Sequence, residues 1–349
     1  MKTNEKIKKT IPVFFAADKN YLPYLSVAIT SLKAHSNPEF LYKIHVLYTG
    51  ELGERANEIS ALAVENVSIS FDDISNVIDR IKAFIHCRDY YTDAIYYRLF
   101  IPELFTQYEK AVYLDCDTVL LDDIANLYQI DLKDNLIGAV ADQAVAGVGA
   151  FRDYTRNALG IPPEEYFNSG VIVMNLNKFR EIRFYERFCR VLGSYHFIVA
   201  PDQDCLNLIC KGKVYYYGGE WNRMPIAGKD KKKPALIHYN LTMKPWHYDD
   251  VLYQEYFWEY AKQTAFYDAI FQDLKEYTPE KKERDKVGGE RLIALALAEA
   301  DSPNNYFRTV ANDTRKNENE VDVYGFIEGF SAAFGDFEKD RRIREGRKI

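Results

Sequence analysis

Residues 111–124 read AVYLDCDTVLLDDI, an apolar run that delivers Asp115 and Asp117 one residue apart. In an extended segment alternate side chains share a face, so these two carboxylates project together while Cys116 turns away. Neighbouring carboxylates repel unless a cation neutralises them or one of them takes a proton. The pair therefore suits a divalent metal, an acid/base couple, or the plain solvated end of a strand. Spacing alone does not choose among these, because a second D-x-D stands at Asp202 and Asp204 in PDQDCLN.

The elements that must position these groups follow from the hydrophobic pattern. IPVFFAA, YKIHVLYT, VSISF, KAVYLD, LIGAVAD, GVIVMNL, KVYYYG and ALIHYN are short apolar, β-branched or aromatic runs, and helical patterns such as YLPYLSVAITSLKAH and ELGERANEISALAVE separate the first of them. This alternation predicts an α/β sheet of mainly parallel strands. GVIVMNL, apolar from Gly170 to Met174, reads as a strand covered on both faces. From about Lys275 the character changes: KEYTPEKKERDKVGGE is polar, RLIALALAEA helical, NDTRKNENE linker-like and KDRRIREGRKI basic. The expected division is a domain over 1–275 and a mostly helical, charged appendage over 276–349.

With 47% hydrophobic and 28% charged residues the chain reads as folded and globular, not disordered or fibrous. A net charge of -7 opposes general nucleic-acid binding, which needs clustered Lys and Arg. Cys87, Cys116, Cys189, Cys205 and Cys210 are odd in number and lack C-x-x-C spacing, so neither a disulfide framework nor a zinc site is expected, and a reducing cytoplasm suits them. Asp18, Lys19 and Asn20 interrupt IPVFFAADKNYLPYLSVAITSL, so no export signal or membrane span is expected either. Residues 339–348 carry six Lys or Arg against two acidic residues, which reads as a solvated tail or as a peripheral contact with an anionic membrane face. Oligomeric state is not legible.

VYLDCDTVL resembles the D-x-D strand end of haloacid-dehalogenase-type phosphatases, which would make Asp115 a nucleophile and Asp117 a general acid/base. GDFEKD, residues 335–340, would complete the magnesium site, but it follows GFIEGFSAAF, which is not a buried-strand run, and this reading leaves the chain before Asp115 without a role. A second resemblance explains more. FFAADKNYLPYLSVAITSL, YYRLFIPELF, KAVYLDCDTVLLDDI, YFNSGVIVMNLNKFR, PDQDCLN and IHYNLTMKPWH, in this order over about residues 11–250, resemble the family 8 glycosyltransferases.

The resemblance implies the GT-A fold and metal-dependent, retaining transfer of a hexose from UDP-glucose or UDP-galactose to a glycan, glycolipid or protein acceptor. It implies Asp115, Asp117 and His238 as metal ligands, a mixed O/N set suited to Mn²⁺, with Mg²⁺ possible. Ala16, Ala17, Asp18, Asn20 and Tyr21 fall where the nucleotide would meet the first turn of the sheet. Arg98 matches the arginine beside the nucleotide sugar, Cys116 lies between the two ligands, and Lys244 matches a lysine that closes over the diphosphate. Asp142, Asn168, Asp202 and Gln203 fall around the transferred sugar, with Gln203 nearest the anomeric carbon. An amide is a poor nucleophile, so retention is expected through same-face departure and attack and not through a covalent glycosyl-enzyme. One position departs: a glycine of the family pattern is Leu241 here. Structural alternatives accompany these roles, in which Asp18 or Asn20 caps a helix beginning near Leu22 and Asp202 caps one beginning near Asp204. A chain that kept the fold and binds sugar nucleotides silently is a third reading. Acceptor contacts are expected from loops over 142–167.

Overall fold

The structure is a computed structural model, and it describes residues 8–81, 93–228 and 232–311 together with Phe337 and Lys339. Its strands are β1 Lys9–Ala16, β2 Phe40–Tyr48, β3 Val67–Asp73, β4 Lys110–Leu114, β5 Thr118–Leu120, β6 Ile137–Ala139, β7 Val171–Asn175, β8 Val214–Tyr216 and β9 Leu236–His238. Seven of them form one sheet in the order β3-β2-β1-β4-β7-β6-β8, and β5 pairs with β9 in a second. β1 runs parallel to β2 and β4, β2 to β3, and β6 to β8. The sheet is thus mixed and mainly parallel, flanked by helices, as a GT-A fold requires.

β7 is antiparallel to both β4 and β6. Its uninterrupted apolar run reported burial on two faces, which Val171–Met174 do show, and said nothing of direction. Alternation along β1 sends Phe14 into the apolar layer on one face, while Ile11, Val13 and Phe15 enter the layer on the other. Helix Leu22–Ala34 packs into that second layer, with Pro23 in its first turn, where a missing N–H costs nothing. The Ser31 hydroxyl donates to Ala28 O at 2.8 Å and accepts from Leu120 N at 2.9 Å, which ties this helix to β5.

The segment expected to be acceptor-side loops is instead built of short helices at Gln143–Gly147, Gly149–Asp153, Tyr154–Ala158 and Pro163–Glu165. Helix Pro279–Asp301 starts at a Thr278 cap and packs against Gly149–Asp153 and Tyr154–Ala158, burying Ala296 and Ala300. Phe337 is buried edge-on against Phe105, with ring centroids 5.6 Å apart. Apart from Lys339, the basic run 339–348 lies outside the described residues, as does Cys87. The other four cysteines are buried and unpaired. Among the described residues no helix is long and apolar enough to cross a membrane.

Candidate metal and donor site

β4 ends at Leu114 and β5 begins at Thr118, so Asp115, Cys116 and Asp117 form the turn by which the chain leaves one sheet for the other. The expected extended segment is therefore corrected to a turn, and its cause is the change of partner from β7 to β9. Asp115 N donates to Gly170 O at 2.7 Å, Thr118 Oγ1 to Asp115 O at 2.8 Å, and Tyr239 N to Asp117 O at 2.9 Å. Cys116 does turn away, burying its thiol against Ala16 O at 3.1 Å. Because Thr118 pairs with His238 across the small sheet, the imidazole arrives beside both carboxylates. His238 Nε2 lies 3.2 Å from Asp117 Oδ1 and 3.6 Å from Asp115 Oδ2, and one ligand atom from each of the three residues falls within 4.8 Å of the others.

The state of that imidazole follows from a backbone donor. Gly170 N–H, which cannot be reversed, points at Asn168 at 3.0 Å, so the receiving atom is Oδ1. The Asn222 atom 2.9 Å from that same oxygen must then be its amide nitrogen, which leaves Asn222 Oδ1 to face His238 Nδ1 at 3.0 Å. His238 therefore carries a proton on Nδ1, which leaves Nε2 as the nitrogen that can offer a lone pair to an ion. Asp117 Oδ1, buried and without a hydrogen-bond partner among the described residues, faces that nitrogen. A cation bound by both atoms would satisfy them together. Here the Lys244 ammonium already lies on the other oxygen of Asp117, and it also donates to Tyr239 O at 2.6 Å. Burial alone would raise the Asp117 carboxyl, but the Lys244 ammonium outweighs it and holds the group well below the usual carboxylate range. Gly170 borders the same space: a Cβ there would meet His238 Cε1 at 2.3 Å and Asp115 Oδ2 at 2.4 Å. The donor set, the unbonded oxygen and the cleared space all fit a divalent ion held by Asp115, Asp117 and His238.

A second network adjoins it. Asp142 caps helix Gln143–Gly147 through Oδ1, accepting from Ala144 and Val145 N–H at 2.9 and 3.1 Å. Its Oδ2 accepts from Asn168 Nδ2 and Gln203 Nε2, each at 3.1 Å. Ser169 N–H donates to Gln203 Oε1 at 2.9 Å, which fixes the orientation of that amide as well. Arg98, buried, donates to Ser169 O at 2.6 Å, pairs with Asp115 at 3.0 Å and Asp202 at 3.4 Å, and stacks its guanidinium on Tyr113 at 4.4 Å. Burial pushes the Asp202 carboxyl up to about 6; Arg98 opposes the rise and Asp115 adds to it. Asp202 is not a cap, because its helix, Pro201–Cys210, begins at Pro201, three residues before the expected start.

Ala16, Ala17, Asp18, Tyr21, Arg98, Asp115, Cys116, Asp117, Asp142, Asn168, Asp202, Gln203, His238 and Lys244 all line one cleft of about 400 Å³. Asn20 is not among its lining residues; it is exposed, and its N–H is held by Asp18 Oδ1 at 2.7 Å. Asp18 also accepts from Tyr21 N–H at 3.2 Å, shaping the turn before helix Leu22–Ala34, whose cap position Tyr21 makes no side-chain capping bond. Leu241 lines the cleft with φ of 58°, a left-handed conformation that glycine adopts without strain. The sequence reading missed Asn222, Ser169, Gly170, His247, Tyr277, Asp285 and Leu292. Of these only Gly170, a glycine opening an apolar strand, offered a local signal of close approach.

Three comparisons bear on this arrangement. The lipopolysaccharide 1,2-glucosyltransferase of Escherichia coli (strain K12) is 29% identical over 265 residues, covering 70% of this chain and 75% of that protein. The structure of the galactosyltransferase LgtC with donor and acceptor sugar analogs superposes with a TM-score of 0.63 at 28% identity, covering 73% of this chain and 96% of that one. WbbM, a bifunctional glycosyltransferase, superposes at 0.66 with 25% identity over 78% of this chain but only 53% of its own. Residues 12–250 match the model described as glycosyl transferase family 8, and the chain belongs to that family, hexosyltransferases that move a sugar from a nucleotide-sugar donor.

Proposed function

We propose that this chain is a retaining, metal-dependent transferase that takes UDP-glucose or UDP-galactose and delivers the hexose to a hydroxyl of a glycan, glycolipid or protein. The observation that carries this reading is the convergence of His238 Nε2 on two carboxylates, in the same cleft as the amide network around Gln203. The relatives' names supply the hexoses: one is a glucosyltransferase and the other a galactosyltransferase.

Asp115, Asp117 and His238 would hold Mn²⁺, or Mg²⁺, which when bound offsets charge developing on the departing diphosphate. Ala16, Ala17, Asp18 and Tyr21 receive the uridine, while Asn20 serves only through the Asp18 turn. Lys244 leaves Asp117 for the diphosphate, exchanging one anion for another. Arg98 keeps Asp115 and Asp202 at fixed separation, and Asp142, Asn168 and Asp202 offer acceptors and donors to sugar hydroxyls. Gln203, clamped by Ser169 N–H and Asp142, supports the oxocarbenium-like charge at the anomeric carbon while the acceptor attacks from the face that UDP leaves. Asp202 is a poor alternative nucleophile, since its Oδ2 is engaged by Arg98 and the Ser169 hydroxyl. We further propose that 276–349 is an appendage to the 1–275 domain, that the protein works in the cytoplasm, and that the basic run 339–348 touches an anionic membrane face.

Thermal shift with UDP, UDP-glucose and UDP-galactose, with and without Mn²⁺, followed by UDP release, tests the central reading. Stabilisation by UDP only when Mn²⁺ is present is expected. Mg²⁺-dependent phosphate release from small phosphoesters, indifferent to UDP, would sink it in favour of the phosphatase, whose required GDFEKD segment lies outside the described residues apart from Phe337 and Lys339.

A further inference from the structure

Every residue given a role in metal or donor binding lies between residues 12 and 250, yet part of the cleft wall comes from beyond that span, from Tyr277, Asp285 and Leu292. We propose that Asp285 is a positioning residue for donor binding: it locks the turn carrying Lys244 onto helix Pro279–Asp301. The inference rests on the reading of Lys244 as the diphosphate contact.

The connection is continuous. Asp285 Oδ2 accepts from the Tyr248 hydroxyl at 2.9 Å and the Tyr277 hydroxyl at 2.7 Å. Tyr277 lies flat on His247, with ring centroids 3.8 Å apart and planes 9° from parallel. The backbone N–H groups of His247 and Tyr248 both donate to Lys244 O, at 2.9 and 3.0 Å. Asp285 thus grips the turn 244–248 through one side chain directly and through a stacked pair beside it. The helix is itself anchored at its far end, where Ala296 and Ala300 are buried and the Tyr195 hydroxyl donates to Glu299. A rigid helix that holds a short turn at one end fixes the point from which the long Lys244 side chain swings, so the swing from Asp117 to a phosphate costs little further ordering. Burial also pushes His247 down to about 4, so the stack adds no charge beside the lysine.

The test measures UDP affinity at saturating Mn²⁺ by calorimetry, Mn²⁺ binding alone by electron paramagnetic resonance, and KM and kcat for the UDP-sugar, in Asp285→Leu and Asp285→Asn. Asp285→Leu is expected to weaken UDP and raise donor KM about tenfold, the worth of an ordinary hydrogen bond or two. Mn²⁺ alone should bind at least as tightly as in the wild type, because the three ligands are untouched and Lys244 competes less well for Asp117. Asp285→Asn, which keeps an acceptor oxygen, should recover most of the loss. Unchanged UDP affinity in folded Asp285→Leu, or equal losses of Mn²⁺ and UDP, overturns the proposal. If Asp285→Leu does not fold, the double variant Tyr248→Phe/Tyr277→Phe removes the same two bonds from the other side and is read the same way. A wild type that binds Mn²⁺ but not UDP would strike at the donor reading itself; wild type and variants binding UDP alike strike only at Asp285.

Discussion

Asp115 and Asp117 sit in a turn between two sheets, whereas Asp202 and Asp204 sit in the first turn of helix Pro201–Cys210. In the turn both carboxylates face His238, and a lysine lies on one of them. On a helix each residue advances about 100°, so positions two apart point to nearly opposite sides. Asp202 accordingly faces Arg98 in the cleft, while Asp204 faces the core, where the Tyr154 and Tyr166 hydroxyls donate to it at 2.8 and 2.6 Å. The electrostatic consequence is opposite as well. The Lys244 ammonium holds Asp117 down, but burial lifts Asp202 to about 6 and Asp204 to about 7 despite the hydrogen bonds that Asp204 receives. A shared D-x-D spacing thus yields a cation site only where the backbone turns both side chains to one point.

That contrast can be broken most decisively by exchanging charge for amide at each pair. Asp117→Asn should abolish Mn²⁺ binding and lower transfer by at least about 10²-fold, a typical loss when transition-state charge goes unstabilised. Asp204→Asn should cost less than about tenfold, since tyrosine hydroxyls can reorient to an amide; similar losses in the two variants would erase the distinction. A smaller effect is expected at Asn222, which touches no ion but fixes the Nδ1 proton of His238. Asn222→Ala should weaken Mn²⁺ about 10–100-fold in a calorimetric titration, with the three ligands intact.

The smallest effect is on stability. Because the folded pKa of Asp204 is raised, the native state binds protons more readily than the unfolded chain between about pH 4 and 7. The stabilisation is full below the unfolded carboxylate pKa and is lost as pH rises through about 7. Asp204→Asn should remove part of the fall in Tm between pH 5 and 8, by several degrees, at about 2–4 °C per kcal/mol for a domain of this size. An unaltered Tm profile would show that Asp204 is charged at low pH after all.

Much of this was legible in the residues. The runs read as strands became β1 to β4 and β6 to β9, because β-branched and aromatic alternation reports local burial. β5, three residues between two acidic clusters, was hidden, and so was the reversal of β7, since apolar content carries no direction. The helix at Pro201 was placed late because Asp202 resembles a cap, while the proline is the stronger start signal. Asn222 and Asp285 had no local mark: Asn222 meets His238 16 residues away, and Asp285 reaches the Lys244 turn through Tyr248, 37 residues away.

By itself the sequence determined the element types, the apolar layers, and the presence of carboxylates, an imidazole and a lysine in blocks of recognisable order. Only the tertiary structure decided which D-x-D could take an ion, which nitrogen of His238 faces the carboxylates, and which distant carboxylate meets the Lys244 turn. The physical reason is that propensity and periodicity act between neighbours in the chain, whereas a cation site requires several acceptors to converge on one point from different strands. That convergence is set by the pairing of β5 with β9 and by the backbone N–H groups of Ser169 and Gly170, aimed from the turn before β7, which no short stretch of residues encodes.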